Sequence, residues 1–173
     1  MTTPAPQPAP LPTMLHIGHV VHDLAETARQ YIARFGATPA GGDMPGANPD
    51  GIIPTIDIHF TDATVNGEPA DFVARYGFLD LGGIQVELIQ PVSGATSPYV
   101  TFLAEHGEGV HHLAYVVDSI DAHLATWRTE NPDTPLLLEA TLGGSSRVVY
   151  IGEAVNGLAI ELIQMLATPD ADA

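Results

Sequence analysis

Apolar and polar residues alternate through several short segments of the chain, while the segment after Asp23 spaces its apolar residues as a helix does. Alternation predicts half-buried strands, and apolar residues three and four positions apart predict a helix. Asp23 fits the N-cap of the first helix, and Gly36 fits its C-terminal cap. The predicted order is strand 16–21, helix 24–35, strands 55–60, 72–81 and 84–89, helix 97–105, strand 112–117, helix 119–130, and strands 136–138, 147–151 and 158–163.

Two parts of this pattern occur twice. The segment that begins at His16 aligns with the one that begins at His112, and the apolar strand around Glu87 aligns with the strand around Glu161. Self-similarity of this kind indicates repeated structural units. We therefore predict two modules with the order βαβββ, which favours the α+β class over a doubly wound sheet.

The predicted domain covers residues 14–166, with module one at about 14–92 and module two at about 108–166. Residues 1–13 carry five prolines at alternating positions and are expected to be disordered, and residues 167–173 form a second tail. The histidine and the glutamate lie further apart in the first module than in the second. We attribute this difference to an insertion at about residues 37–70, whose first half is rich in Gly, Pro, Asp and Asn and is predicted to be a loop.

The composition restricts the classes of partner. The 173 residues have a formal net charge of −16, from 21 acidic residues against five basic ones, all of which are arginine. Nucleic-acid binding needs a basic surface, so we expect no nucleic-acid partner. No apolar run approaches the roughly 18 residues of a membrane span. The chain has no cysteine, and its first residues lack the pattern of a signal peptide, so we expect a cytoplasmic protein without a membrane partner.

The histidine and the glutamate that recur in each module are candidate metal ligands. Glu87 and Glu161 lie within apolar strands, where an unpaired carboxylate is costly to bury. One such residue alone is more often a hydrogen-bonded core residue or a member of an ion pair. Four residues in register favour one shared divalent cation bound by His16, Glu87, His112 and Glu161. Mixed imidazole and carboxylate ligands suit zinc, nickel, cobalt, manganese or iron.

The repeated segments resemble the vicinal oxygen chelate superfamily of glyoxalases, bleomycin resistance proteins and dioxygenases, and especially its methylmalonyl-CoA epimerase-like and glyoxalase-like members. The resemblance covers about residues 14–166 and rests on LHIGHVVHDL, GGIQVELIQP, SPYVTFLAEHGEGVHHLAYVVDSID and GLAIELIQ. It implies two modules that form an open, cup-shaped mixed β-sheet around one metal ion, often in a homodimer. It also implies the four ligands named above. Of the two adjacent histidines, the repeat selects His112, since strand alternation directs His111 to the other face.

The resemblance further implies a metal-dependent isomerase or epimerase, which acts beside a carbonyl through an enolate. Glu161 would be both a metal ligand and a catalytic base. The superfamily's second acid, in a Glu-x-x-x-Arg segment, corresponds to Asp71 in the segment Asp71–Arg75, with Glu68 as the fallback. The substrate would be a small carbonyl compound, such as an acyl-CoA. Because phosphates usually recruit Lys or Arg, a less anionic carbonyl compound suits a chain with five arginines at least as well.

Three other activities share this scaffold. A glyoxalase-type lyase uses the same ligands, so the motif does not separate it from an epimerase. An extradiol dioxygenase uses two His and one Glu with iron, and Glu87 would then occupy a position that oxygen or catechol needs. A metal-free small-molecule binding or resistance protein commonly lacks the ligands, so a complete set of four counts against it.

Overall fold

The computed structural model describes residues 11–44, 46–48 and 50–167, without the side chains of Glu130, Glu153 and Val155. The tails predicted at 1–13 and 167–173 lie outside these residues, apart from residues 11–13 and 167. Leu11 packs against the buried cluster around Ile120. Leu11 thus has a packing partner although it lies within the segment predicted to be disordered, and the disorder of residues 1–13 stays a prediction.

The described residues form nine strands and three helices. In chain order they are β1 (Met14–Val20), α1 (Leu24–Phe35), β2 (Thr38–Ala40), β3 (Thr55–Val65), β4 (Glu68–Asp80), β5 (Gln85–Ser93), α2 (Pro98–His106), β6 (Gly109–Val116), α3 (Ile120–Glu130), β7 (Leu136–Leu142), β8 (Ser146–Val155) and β9 (Leu158–Met165). Every predicted helix and strand is present, and several strands are longer than predicted. The short strand β2, within the predicted loop, is the additional element.

The ends of α1 follow from local chemistry. The side chain of Asp23 accepts a hydrogen bond from the backbone N–H of Glu26, and Gly36 ends the helix in the left-handed conformation with φ of 68°. Ser119 caps α3 in the same way as Asp23 caps α1, accepting from the N–H of Ala122. The two caps fix where each helix begins and so how it lies across its half of the sheet.

The strands form one mixed sheet in the order β2-β4-β3-β7-β8-β9-β6-β1-β5, and β5 also pairs with β4. This additional pairing curves the sheet around on itself. β3 and β7 pair only through residues 63–65 and 138–140, so the wall is open along the rest of their junction. The strand-rich α+β class and the curved, cup-shaped sheet are as the sequence predicts.

The central strands have the same register in both halves. β1 and β6 are antiparallel neighbours, flanked by the parallel strands β5 and β9. In each half the histidine lies opposite the residue two positions before the glutamate, with His16 opposite Gln85 and His112 opposite Ala159. This register directs the four predicted ligands toward one region inside the curve.

The core is divided between the inside and the outside of the curved sheet. Inside, the rings of Phe60 and Phe72 stack at 4.5 Å, and α2 adds the fully buried Tyr99. Outside, α1 and α3 cover one half each, with Leu24 and Ile120 buried beneath them. No helix in the described part of the chain is long and apolar enough to cross a membrane.

Candidate metal centre

Each of the four central strands contributes one side chain to a single buried cluster. The residues are His16 on β1, Glu87 on β5, His112 on β6 and Glu161 on β9. One ligand atom from each lies within 4.8 Å of the other three. Between 0% and 7% of each residue is exposed. The predicted convergence of the four residues is therefore confirmed.

The distances within the cluster match those between ligands of one ion. Oε2 of Glu161 lies 3.0 Å from Nε2 of His16 and 3.1 Å from Nε2 of His112. Oε2 of Glu87 lies 3.4 Å from both nitrogens. Two ligand atoms held about 2.1 Å from a zinc-like ion are about 3.0 to 3.4 Å apart at octahedral or tetrahedral angles. All four donor atoms can therefore reach a common centre.

The chemistry of the donors also fits a divalent cation. Within the described part of the chain, Oε2 of Glu87 is a buried oxygen without a hydrogen-bond partner, although buried polar atoms are nearly always paired. Two carboxylates and two neutral imidazoles carry two negative charges, which one divalent cation balances. A cation would thus satisfy the free oxygen and neutralise a charge that is costly to bury.

Without a cation, protons take its place. Burial lowers the pKa of His16, but the carboxylates of Glu87 and Glu161 outweigh burial and raise it to about 10. Burial also lowers the pKa of His112, and Glu161 raises it above its ordinary value. Burial raises the pKa of Glu87, while protonated His16 brings it below the ordinary value. Metal binding near neutral pH must therefore displace protons from the imidazoles.

We expect the metal-free protein to lose stability as the pH rises from 6.5 to about 10. The pKa of His16 is raised on folding, so its stabilisation is complete below 6.5 and is lost as the pH rises through about 10. A tenfold change in proton affinity is worth about 1.4 kcal/mol, so the loss is on the order of 3 to 5 kcal/mol. Denaturant unfolding at the two pH values measures it.

Metal-loaded protein should lose less stability over the same interval, because the cation replaces the protons. In metal-free His16→Asn the fall should shrink, since the titrating imidazole is gone. A metal-free wild-type protein as stable at the higher pH as at the lower would show that the two carboxylates do not hold a proton on His16.

Strand β6 carries a β-bulge beside the cluster. Gly18 pairs with His112, but the next residue, His19, pairs with Val110, so His111 has no partner on β1. His111 is consequently directed to the same side as His112, and their Nδ1 atoms lie 3.0 Å apart. The orientation predicted for His111 is wrong, because strand alternation does not hold across a bulge.

The contact with His111 determines where the protons of His112 lie. Nε2 of His112 faces the cluster, so a cation there requires its proton on Nδ1, which donates to Nδ1 of His111. Burial lowers the pKa of His111 to about 3, which keeps it neutral and able to accept. The rings of Tyr99, Phe102 and Tyr150 pack around His111 and fix its orientation. His111 is thus a positioning residue for His112.

We expect His111→Phe to weaken metal binding by about 10- to 100-fold, as loss of a hydrogen-bond partner behind a ligand does. The phenyl ring fills the space but leaves the buried N–H of His112 without an acceptor. His111→Asn should keep most of the affinity, because its Oδ1 can accept in place of Nδ1. Competition with a zinc-binding fluorescent chelator measures all three proteins. Equal affinities would show that this contact does not hold His112.

A cavity of about 410 Å³ lies against the cluster, with His16 and Glu87 in its wall. Most of the remaining wall is apolar: Leu15, Met44, Ile58, Phe78, Leu142, Val148 and Ile163. The polar part consists of Asp43, Tyr76, Gln85 and Ser146. The predicted insertion at about 37–70 contributes Asp43, Met44 and Ile58, so it borders the cavity. A small molecule in this cavity would contact both the apolar wall and the cluster.

The structure does not bring the predicted second acid to this cavity. Asp71 alternates with the buried Phe72, and its exposed side chain lies 2.8 Å from Nε2 of His59 on the outer face. Glu68, the fallback, is exposed beside the turn that precedes β4 and does not line the cavity. Asp43 does line it. Asp43 lies in an aperiodic loop, so no sequence pattern distinguishes it.

Comparison with known proteins identifies the family. A sequence profile of the Glyoxalase/Bleomycin resistance protein/Dioxygenase superfamily matches residues 15–133. An uncharacterized protein of Bacillus subtilis, YqjC, is 25% identical over 88 residues, which are 50% of this chain. The matched segment spans 62% of that relative, which is less than two thirds of its length.

Two solved structures show the same fold. The methylmalonyl-CoA epimerase of Mycobacterium tuberculosis has a TM-score of 0.59 and 21% identity, with 91% of this chain and 90% of that chain covered. A variant of the Streptomyces coelicolor methylmalonyl-CoA epimerase in complex with 2-nitronate-propionyl-CoA has a TM-score of 0.53 and 24% identity, with 91% and 100% covered. Since the profile matches more than half of the sequence, the chain belongs to the Glyoxalase/Bleomycin resistance protein/Dioxygenase superfamily.

Proposed function

We propose that the chain is a metal-dependent isomerase or epimerase that moves a proton on the carbon beside a carbonyl group. The observation that carries this proposal is the buried cluster of two histidines and two glutamates, of which His16 and Glu87 line an apolar cavity. Methylmalonyl-CoA epimerases with the same fold support this class of reaction. The fold alone does not select it, because one fold serves several chemistries.

In this proposal His16, Glu87, His112 and Glu161 hold the cation. Once bound, a divalent cation supplies Lewis-acid polarisation of the substrate carbonyl, which acidifies the neighbouring C–H bond. The burial of all four side chains limits the access of water to that carbonyl.

Two carboxylates are available to move the proton. Burial raises the pKa of Glu161, but His112 outweighs burial and lowers it far below the ordinary value, so Glu161 stays ionised. The proposed cation would also hold the pKa of Glu161 low, because a nearby positive charge favours the carboxylate, and a carboxylate with so low a pKa is a weak base. Asp43, which lines the cavity and is exposed, is therefore our proposed first acceptor of the substrate proton. Glu161, which lies in the cluster, is the second carboxylate that can move the proton.

Exchange of a substrate proton with deuterated water tests the proposal. The metal-loaded protein should exchange the proton beside the carbonyl of a branched acyl thioester, and chelator-treated protein should not. Conversion of the hemithioacetal of a 2-oxoaldehyde into a 2-hydroxyacyl thioester, without exchange on the branched acyl thioester, would indicate the glyoxalase-type lyase. Protein purified without chelator that holds no metal and binds none would indicate a binding protein instead.

We expect Asp43→Asn to slow this exchange by about 100-fold or more, the usual contribution of a general base. Asp71→Asn is the matched control, because Asp71 is exposed on the outer face and should leave the rate within about twofold. Equal rates for the two variants would contradict the role of Asp43. The homodimer implied by the resemblance stays a prediction, which light scattering of the purified protein measures.

A further inference from the structure

The charges around the cavity restrict the chemical class of the substrate more narrowly than the proposed reaction does. We infer that the natural substrate is a compact carbonyl compound with an apolar body and no phosphate group, rather than a thioester of coenzyme A. This inference rests on the proposed function, because it names the substrate class of the same site.

The cavity wall offers no permanently charged cation to a phosphate. Among the described residues that line it, the titratable side chains are His16, Asp43, Tyr76 and Glu87, and none is an arginine. The sequence contains no lysine, so arginine is the remaining permanently charged donor. Apolar residues such as Phe78 and Ile163 form most of the surface that a ligand would contact. An apolar body is therefore favoured for a ligand of this cavity.

The arginine nearest the cavity in sequence is turned away from it. Arg147 lies between Ser146 and Val148, both of which line the cavity. Because successive side chains of a strand point to opposite faces, its guanidinium lies outside, 2.6 Å from Glu139 and 2.7 Å from Asp121. Two carboxylates already satisfy this cation, so recruiting it for a phosphate would break both contacts.

The other four arginines lie on the outer face or on the outer helices. Arg75 alternates with the cavity residue Tyr76, and its guanidinium binds both oxygens of Asp57 at 2.6 and 2.8 Å. The remaining three are Arg29, which pairs with Glu26 on α1, Arg34 in the last turn of α1, and Arg128 in the last turn of α3. None of them lines the cavity among the described residues.

Helix N-termini, the other common phosphate site, are also occupied or covered. Asp23 and Ser119 cap α1 and α3, and Asp23 adds a negative charge there. The N-cap residue Ser97 and the first two residues of α2, Pro98 and Tyr99, are buried. The described residues thus lack both kinds of phosphate partner near the cavity. The formal charge of −16 adds a repulsion of longer range, which salt screens.

A matched pair of thioesters tests the inference. The same uncharged, branched 2-methylbutanoyl group is joined to coenzyme A or to N-acetylcysteamine, which lacks the nucleotide and its phosphates, and proton exchange is followed for both. We expect kcat/KM for the N-acetylcysteamine ester to equal or exceed that for the coenzyme A ester. Added salt should lower KM for the coenzyme A ester only. A preference of about tenfold or more for the coenzyme A ester would overturn the inference while supporting the proposed function.

If neither ester exchanges a proton, the proposed reaction is wrong. A binding measurement still tests the inference about the substrate class in that case. Benzohydroxamate, a chelating ligand without phosphate, should change the visible spectrum of the cobalt-loaded protein. Acetyl-CoA at millimolar concentration should not displace it. Displacement at micromolar concentration, or a cobalt spectrum that responds to acetyl-CoA but not to benzohydroxamate, would overturn the inference.

A gain of charge offers a third test. Ser146→Arg adds a cation at the cavity wall and should lower KM for the coenzyme A ester, without changing KM for the N-acetylcysteamine ester. Ser145→Arg is the matched control, because the neighbouring Ser145 is exposed and does not line the cavity. Equal effects of both variants on the coenzyme A ester would show that only the overall charge, and not the charge at the wall, excludes nucleotides.

Discussion

Glu161→Gln is expected to lower the affinity for a divalent metal by at least about 100-fold, and to abolish the metal-dependent proton exchange with it. Loss of an outer hydrogen-bond partner of a ligand already costs about 10- to 100-fold, and Glu161 is itself a proposed ligand. Its Oε2 lies 3.0 and 3.1 Å from the two imidazole nitrogens, at the centre of the cluster. The amide keeps the shape of the side chain but removes one of the two negative charges that the cation balances.

Metal content after dialysis and competition with a chelator measure this loss. Glu105→Gln is the matched control, because Glu105 is exposed on α2 and does not belong to the cluster. Glu87→Gln should behave like Glu161→Gln, since its buried Oε2 has no hydrogen-bond partner among the described residues. Unfolding curves of the variants establish that they fold. Unchanged metal content in both folded variants would contradict the assignment of the four ligands.

The ligand cluster could be predicted from the sequence because it depends on two regularities that the sequence displays. The repeat pairs His16 with His112 and Glu87 with Glu161, and the parallel pairings β1–β5 and β6–β9 have the same register. Because the two strand pairs are neighbours and have equal registers, their equivalent side chains lie close together. The helix caps at Asp23 and Gly36 could be predicted for a similar reason, since each depends only on residues close in sequence.

The features that the sequence did not reveal are those that break a regularity. The bulge at His111 adds one residue to β6, and a bulge has no obligatory residue type that would indicate it. Asp43 lies in a loop without periodicity, and its place in the cavity depends on how that loop folds against β4. Asp71 illustrates the converse error, because the residue types of a family motif do not determine which face of β4 each residue occupies. Its neighbour Phe72 is buried inside, so Asp71 must face outward.

Gly18→Ala is expected to destabilise the protein by about 2 to 4 kcal/mol and to weaken metal binding as well. Gly18 pairs with His112 across β1 and β6, and the imidazole lies directly over it. A methyl group at this position would overlap Cε1, Nε2 and Nδ1 of that ring. The ring cannot move aside easily, because it is fully buried and held between His111 and Tyr150.

Gly109→Ala is the matched control, since Gly109 lies on β6 and its added methyl would meet nothing nearer than Cζ of Phe102 at 3.9 Å. Denaturant unfolding of the metal-free proteins measures the stability, and chelator competition measures the affinity. In the equivalent pairing, His16 lies opposite Ala114, so a methyl group is tolerated beside that imidazole. The residue opposite His112 is Gly18, where a methyl group is not tolerated. A Gly18→Ala protein with wild-type stability and affinity would mean that His112 does not fold over β1, and the cluster would then lose one of its four donors.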